Sequence, residues 1–173
     1  MASYAGRMVG AARLDVHTFE EVEADRGAMG QAIGVIVLSS VAAAIGMTSG
    51  DALSFIIGIA GALLGWMLWA WLTYFVGTRV LPEPQTHADW GQVLRTTGFA
   101  AAPGILRIFG VIPAVAGIIF IVTGIWMLIA MIIAIRQALD YTSSLRAVGV
   151  AGIGWVVYIV VATLLFFVTG GGQ

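Results

Sequence analysis

The 173-residue sequence contains no cysteine and no lysine, and charged side chains make up only 10% of it. The absence of cysteine excludes disulfides, thiolate catalysis, lipidation on sulfur and cysteine-ligated metals. A water-soluble domain carries about 25% charged residues, so this chain lacks the polar surface needed to cover a globule in water. Its net charge of −1 gives no general attraction to nucleic acid, and we expect no nucleic-acid partner.

Four long stretches carry no acidic or basic side chain, at 27–50, 52–78, 108–135 and 147–173. A helix needs roughly 20 apolar residues to cross the hydrocarbon core of a bilayer, which is about 30 Å thick. Each stretch is long enough to cross. The sequence therefore predicts an all-α integral membrane protein, a polytopic helical bundle with membrane lipids as its solvent.

The segment 96–112 is either a further span or a re-entrant hairpin, because it holds Pro103 near its centre and Arg107 towards its end. A continuous helix there would be about 25 Å long, just enough to cross if the arginine reaches the far interface. Short cytoplasmic loops hold the excess of arginine. A crossing places seven of the eight arginines inside, against six for a hairpin, so five transmembrane helices are favoured.

With five spans the N-terminus is cytoplasmic and the C-terminus periplasmic. The use of arginine alone, with much alanine and glycine, is typical of a GC-rich bacterial genome, so we expect the bacterial inner membrane. Residues 1–27 are predicted to be an N-terminal cytoplasmic segment and residues 28–173 the five-helix transmembrane domain. The turn at 48–51 and the tail at 170–173, both free of arginine, fall on the outer side.

Two short amphipathic surface helices are predicted next to the spans. Residues 1–13 are expected to be poorly ordered, and a capping box of Thr18 and Glu21 then starts a helix with Phe19 and Val22 on one face. A solvated acidic linker is the alternative. The second helix starts at Asp89, and its apolar face consists of Trp90, Val93, Leu94 and Thr97.

Small residues and a charged residue within the spans are the candidate contact sites. Glycines four apart let helix backbones approach closely, inside one bundle or between two chains. The candidates for helix packing or partner contact are Gly30, Gly34, Gly61, Gly65, Pro103 and Arg107. A cluster of Trp66, Trp69, Trp71 and Tyr74 is expected at the headgroup level, with a pigment or quinone site as the alternative.

No catalytic constellation is recognisable in the sequence. Apart from Arg107, the polar residues at membrane depth are not ionisable: Gln31, Ser39, Ser40, Thr73 and Thr123. Both histidines, His17 and His87, fall in predicted cytoplasmic segments, which argues against haem ligation and a metal site. We therefore expect no enzyme activity, cofactor or metal. The alternative function, a small permease or channel, requires Arg107, Gln31 and Thr73 to face one cavity.

Three passages resemble the bacterial form of the Yip1-domain family of five-span membrane proteins, over about residues 14–165. They are LDVHTFEEVEAD before the first span, GQVLRTTGFAAAPGILRIFG, and GIWMLIAMIIAIRQALDYTSSLRAV. The positions that match the family pattern are Phe19, Arg95, Gly98, Phe99, Ala100, Pro103, Trp126 and Arg136.

This resemblance implies a non-catalytic membrane organiser, or a partner-binding accessory subunit of a larger membrane complex. The implied partners are lipids and another integral membrane protein, a second copy of this chain included. Eukaryotic relatives act in vesicle traffic and contact small GTPases through an acidic-aromatic motif. That motif is missing here, so the resemblance does not extend GTPase binding to this chain.

Overall fold

A computed structural model describes residues 2–47 and 52–168 of the chain. All regular structure in these two stretches is helical, which confirms the all-α class. The α-helices are α1 (Tyr4–Ala12), α2 (Val16–Ala24), α3 (Met29–Gly46), α4 (Ala52–Phe75), α5 (Trp90–Phe99), α6 (Pro113–Ala138) and α7 (Ser144–Val168). Three tighter or wider helical pieces join them: 3₁₀ turns at Arg26–Ala28 and Ala102–Val111, and a π-helical turn at Val76–Val80.

In the described part of the chain, four helical stretches are long and apolar enough to cross a membrane, with mean hydropathies between 1.8 and 2.9. They are Arg26–Gly46, Ala52–Val80, Pro113–Ala138 and Ser144–Val161. The multi-pass prediction is confirmed, and the first two uncharged stretches of the sequence, 27–50 and 52–78, overlap the first two of these helices. The predicted outer turn at 48–51 and tail at 170–173 lie outside the described residues.

The predicted span at 96–112 is not a continuous α-helix. α5 ends at Phe99, and a 3₁₀ helix of ten residues follows from Ala102. Pro103 lies at the start of that 3₁₀ helix, where a proline cannot donate the backbone hydrogen bond that would continue an α-helix. Instead the amide of Gly104 donates to the carbonyl of Ala101, at 2.9 Å.

This broken segment nevertheless runs parallel to α3 along most of its length. A side chain added at Gly98 would meet Ala32, one at Gly104 would meet Ser39, and one at Gly110 would meet Gly46. The glycines are six residues apart and their α3 neighbours seven. Six residues make about two turns of 3₁₀ helix and seven about two turns of α-helix. The tighter winding of the 3₁₀ helix therefore keeps the glycines in register with one face of α3.

α5 lies inside the bundle, packed among α2, α3, α4 and α6. Its predicted start at Asp89 is confirmed, and Asp89 and Gln92 form a capping box in which each side chain accepts a hydrogen bond from the other's backbone amide. The prediction that it lies on the surface is wrong. Val93 and Thr97 are fully buried, and Leu94 is nearly so. Packing against four neighbouring helices stabilises this short helix, and its local sequence gives no indication of those contacts.

The N-terminus also differs from its prediction. Residues 4–12 form a helix, with the Ser3 hydroxyl accepting from the Gly6 amide at 3.1 Å. α2 begins earlier than predicted, because Asp15 is its cap and Thr18 donates to the Asp15 carboxylate at 2.8 Å. The face of Phe19 and Val22 is fully buried, and α2 packs on α5 and α6 rather than lying on lipid.

The tryptophans of the predicted aromatic cluster differ in burial. Trp66 is buried, and its indole Nε1 donates to the Thr97 hydroxyl at 3.1 Å. Trp66 therefore joins α4 to α5 within the protein. Trp71 is 45% exposed and stacks on Phe75 with ring centroids 5.6 Å apart, an environment open to the surrounding medium.

Candidate functional site

Arg7 is the most buried charged residue at the base of the bundle, defined as the end at which α3 begins. Its guanidinium is 2.9 Å from the Glu21 carboxylate and 2.8 Å from that of Asp25, and it donates to the Gln31 amide oxygen at 3.0 Å. These hydrogen bonds hold the pKa of Glu21 and that of Asp25 below their usual range. Arg7, which is 2% exposed, thus fastens α1 to α2 and α3.

Arg95 closes the end of α2. Its Nε donates to the carbonyl of Val22 at 3.0 Å, and its Nη2 donates to the carbonyl of Glu23. The last carbonyls of a helix have no partner within it, so the buried guanidinium satisfies them. Desolvation by burial, with a smaller contribution from the nearby negative charge of Asp140, raises the pKa of Glu23 to about 7.

A third polar cluster ties the loop after α4 to the turn between α6 and α7. The Glu83 carboxylate, nearly buried, accepts from the backbone amide of Thr142 at 3.0 Å and lies 3.4 Å from Arg146. The hydrogen bond from the Thr142 amide is the main reason that the pKa of Glu83 is lowered. The Tyr141 hydroxyl lies 2.9 Å from the carbonyl of Gly77. The C-terminal ends of α4 and α6 therefore meet at the base.

The opposite end, the top, contains an open cavity of about 660 Å³ between α3 and the first half of α4. Arg107 is the charged residue among the described residues that line it. Its Nε donates to the Thr123 hydroxyl at 3.2 Å, and its guanidinium lies 5.5 Å from the centre of the Phe120 ring. None of the ion pairs in the described part of the chain involves Arg107.

The predicted contact glycines divide into two groups. A side chain added at Gly34 would meet the Tyr4 hydroxyl, and one at Gly65 would meet that of Tyr158 at 3.2 Å. These two positions face neighbours within the chain. Gly30 and Gly61 have nothing within 4 Å of an added Cβ, so they face outwards. Pro103, the remaining candidate beside Arg107, is buried.

The residues that a permease would need together lie apart. Arg107 lines the cavity at the top, whereas Gln31 is bound to Arg7 at the base. Thr73 is fully buried, and its hydroxyl lies near Gly154 of α7. Both histidines are exposed, and the described residues contain no group of three acidic or histidine side chains that could hold a metal.

Three residues that match the family pattern contact the hairpin of α1 and α2, namely Arg95, Phe99 and Trp126, and a fourth, Phe19, belongs to it. Trp126 Nε1 donates to the carbonyl of Ala12 at 2.7 Å, and Phe99 meets the Tyr4 ring edge-on with centroids 6.5 Å apart. Phe19 is fully buried on α2, whose end Arg95 closes. The spacing of the family pattern therefore reflects a docked N-terminal hairpin, which sequence reasoning had treated as separate from the bundle.

The model of the Yip1 domain family matches residues 16–165, which is most of the chain. The chain belongs to the Yip1 domain family. Comparisons with curated proteins and with solved structures give no match. Membership makes this a multi-pass membrane protein of a non-enzymatic, membrane-trafficking type of family, in agreement with its four long apolar helices.

Proposed function

We propose that this Yip1-domain protein is a non-catalytic membrane organiser, or an accessory subunit that associates with another integral membrane protein or with a second copy of itself. The observation that carries the proposal is the low burial of α4 within the chain. Only 6% of the most apolar part of Ala52–Val80 is buried within the chain, against 22–28% for the other three long helices. One helix therefore offers most of its surface for contact outside the protein.

The exposed part of α4 combines large and small side chains. Leu53, Ile56 and Leu64 are each more than 60% exposed. Gly61 lies between Ile56 and Leu64 with open space where a side chain would project. Between helices in lipid, association depends on close packing, and small residues allow it. This surface favours a partner helix, with lipid covering it otherwise.

We propose five crossings, with the broken segment of α5 and the 3₁₀ helix as the third. Two observations support this. The segment lies alongside α3 from Gly98 beside Ala32 to Gly110 beside Gly46. In addition, α4 and α6 both end at the base, where Glu83 bonds Thr142. If α6 crosses towards the base, it must begin at the top, so the chain from 90 to 112 has to cross first.

Five crossings put the N-terminus and the base in the cytoplasm and the C-terminus in the periplasm, with the bacterial inner membrane as the proposed location. In this arrangement, residues 1–27 form a cytoplasmic segment and residues 28–173 form the transmembrane domain. The N-terminal segment is a cytoplasmic hairpin, fastened by Arg7 and Arg95 to the domain that it precedes.

Size determination in lipid nanodiscs and in mild detergent tests the association. We expect the wild-type protein to form a dimer or to co-purify with another membrane protein. Gly61→Ile should abolish that association, because it fills the open space on α4. Gly117→Ile is the matched control, since Gly117 lies on α6 with equally open space. A wild-type protein that is always a lone monomer would contradict the proposal.

A further inference from the structure

We propose that the cavity at the top binds one phospholipid, with its phosphate on Arg107 and an acyl chain along the apolar wall. This site is separate from the association surface, because Gly61 does not line the cavity. The proposal depends on the charge of Arg107, the hydroxyls around the cavity and the way in which polarity changes along it.

Among the described residues, Arg107 has no anionic partner. A charged side chain inside a membrane normally pairs with an opposite charge or reaches the headgroups. Among the described residues, the guanidinium uses only Nε, on Thr123, and no hydrogen bond to Nη1 or Nη2 is seen. A guanidinium presents its N–H groups as a fork that fits a phosphate, and phospholipid headgroups are the source of phosphate at this depth.

Hydroxyl groups add to the polar part of the cavity. Ser39 and Ser40 on α3 and Ser54 on α4 all line it. Within the described residues, neither Ser39 nor Ser40 makes a side-chain hydrogen bond, so both hydroxyls are available as donors to phosphate or ester oxygens. The backbone of Arg107 lies against Gly46 at the top, and Ser39 and Ser40 lie about 10 Å further down α3, so polar groups line the cavity from its top to its middle.

The cavity becomes apolar towards its deeper end. It extends along α3 from Met47 to Ile36, about 16 Å of α-helix and roughly half of the hydrocarbon core. The deeper wall consists of Ile36, Ala101, Ile59 and Ala62. Because the first half of α4 is scarcely buried, a lipid can enter sideways between α3 and α4. A charged top and an apolar floor match a phospholipid and not a free anion.

Native mass spectrometry in neutral detergent can test this with three probes. They are dihexanoyl phosphatidylglycerol, dihexanoylglycerol, which lacks the phosphate, and inorganic phosphate, which lacks the chains. We expect only the phospholipid to bind at a one-to-one ratio. Equal binding of dihexanoylglycerol would reduce the site to an apolar groove, and equal competition by inorganic phosphate would reduce it to an anion site. Either result overturns the proposal.

Variants separate the roles of charge and shape. Arg107→Gln should weaken phospholipid binding about tenfold or more, the factor for losing one charge-assisted hydrogen bond. Arg79→Gln removes an exposed arginine at the base and should change nothing. Gly58→Phe should also abolish binding, since it fills the cavity from a position with open space and leaves Arg107 untouched. Unchanged binding in Arg107→Gln, or in a folded Gly58→Phe protein, contradicts the proposal.

Discussion

The carbonyl oxygen of Arg107 lies directly against Gly46, the last residue of α3, and leaves no space for a side chain there. Gly110 is also in contact, since its Cα would lie 3.4 Å from a Cβ on Gly46. The backbones of α3 and the 3₁₀ helix therefore touch at the top of the bundle. The atoms in contact belong to the main chain, so they cannot move aside as a flexible side chain would.

We predict that Gly46→Ala destabilises the protein by about 1–3 kcal/mol, the usual effect of overpacking a close contact. Gly30→Ala in the same helix is the control. It meets open space and should be neutral or stabilising by up to about 1 kcal/mol, because alanine favours helix. Thermal unfolding in detergent measures both. Equal stability of the two variants would show that the contact at Gly46 does not exist.

We predict that Arg7→Met releases α1 from the bundle. The substitution leaves the partly exposed carboxylates of Glu21 and Asp25 without their buried partner and removes the hydrogen bonds of Arg7 to Glu21 and Gln31. Hydrogen exchange of residues 4–12 should become fast, and the free energy of unfolding should fall. Arg13→Met, at an exposed position, should leave both unchanged. Retained protection of α1 in Arg7→Met would exclude this role for Arg7.

We predict a pH dependence of stability from Glu23, whose pKa is raised from 4.5 to about 7. Between these values the folded protein keeps a proton that the unfolded chain has lost. Stability from this group is therefore full below about pH 4.5 and declines as pH rises towards 7. Glu23→Gln should remove the decline and keep an acceptor for Gln92. Glu20→Gln, at an exposed position, removes only a minor contribution to the raised pKa and should retain most of the decline, because burial is the main cause.

The measurement is the unfolding temperature between pH 4.5 and 7.5. Glu21, Asp25 and Glu83 act in the opposite sense, because their pKa values are lowered. Their stabilisation is present at neutral pH and is lost only at more acidic pH. They affect the wild type and both variants alike, so the difference between Glu23→Gln and the wild type isolates Glu23. Parallel pH curves for the two proteins would contradict the raised pKa.

The spans could be predicted from sequence because the bilayer sets their length. The start of α5 was also predictable, since Asp89 and Gln92 cap it through bonds within three residues. α1 was not, because a helix of nine residues is unstable alone and depends on partners of Arg7 that are 14 to 24 residues away. Local sequence carries no signal for contacts of that range.

The register of Gly98, Gly104 and Gly110 was missed for a different reason. Glycine spacings of four indicate α-helical packing, whereas these residues are six apart. Such a spacing faces one side only if the chain winds as a 3₁₀ helix. Pro103 was recognised as a possible break, but the conformation after it depends on the fit to α3. A search for glycines at this spacing next to a proline would have found the contact.

The central claim is that residues 90–112 cross the membrane beside α3. The most direct test is accessibility of single cysteines in intact cells, since the native chain has none. Gly110 is unsuitable, because an added side chain would collide with Phe120, so the half-exposed Ile112 is the better position. A membrane-impermeant maleimide should label Ile112→Cys from outside and leave Ser143→Cys protected. Protection of Ile112→Cys with labelling of Ser143→Cys would contradict the five-span account.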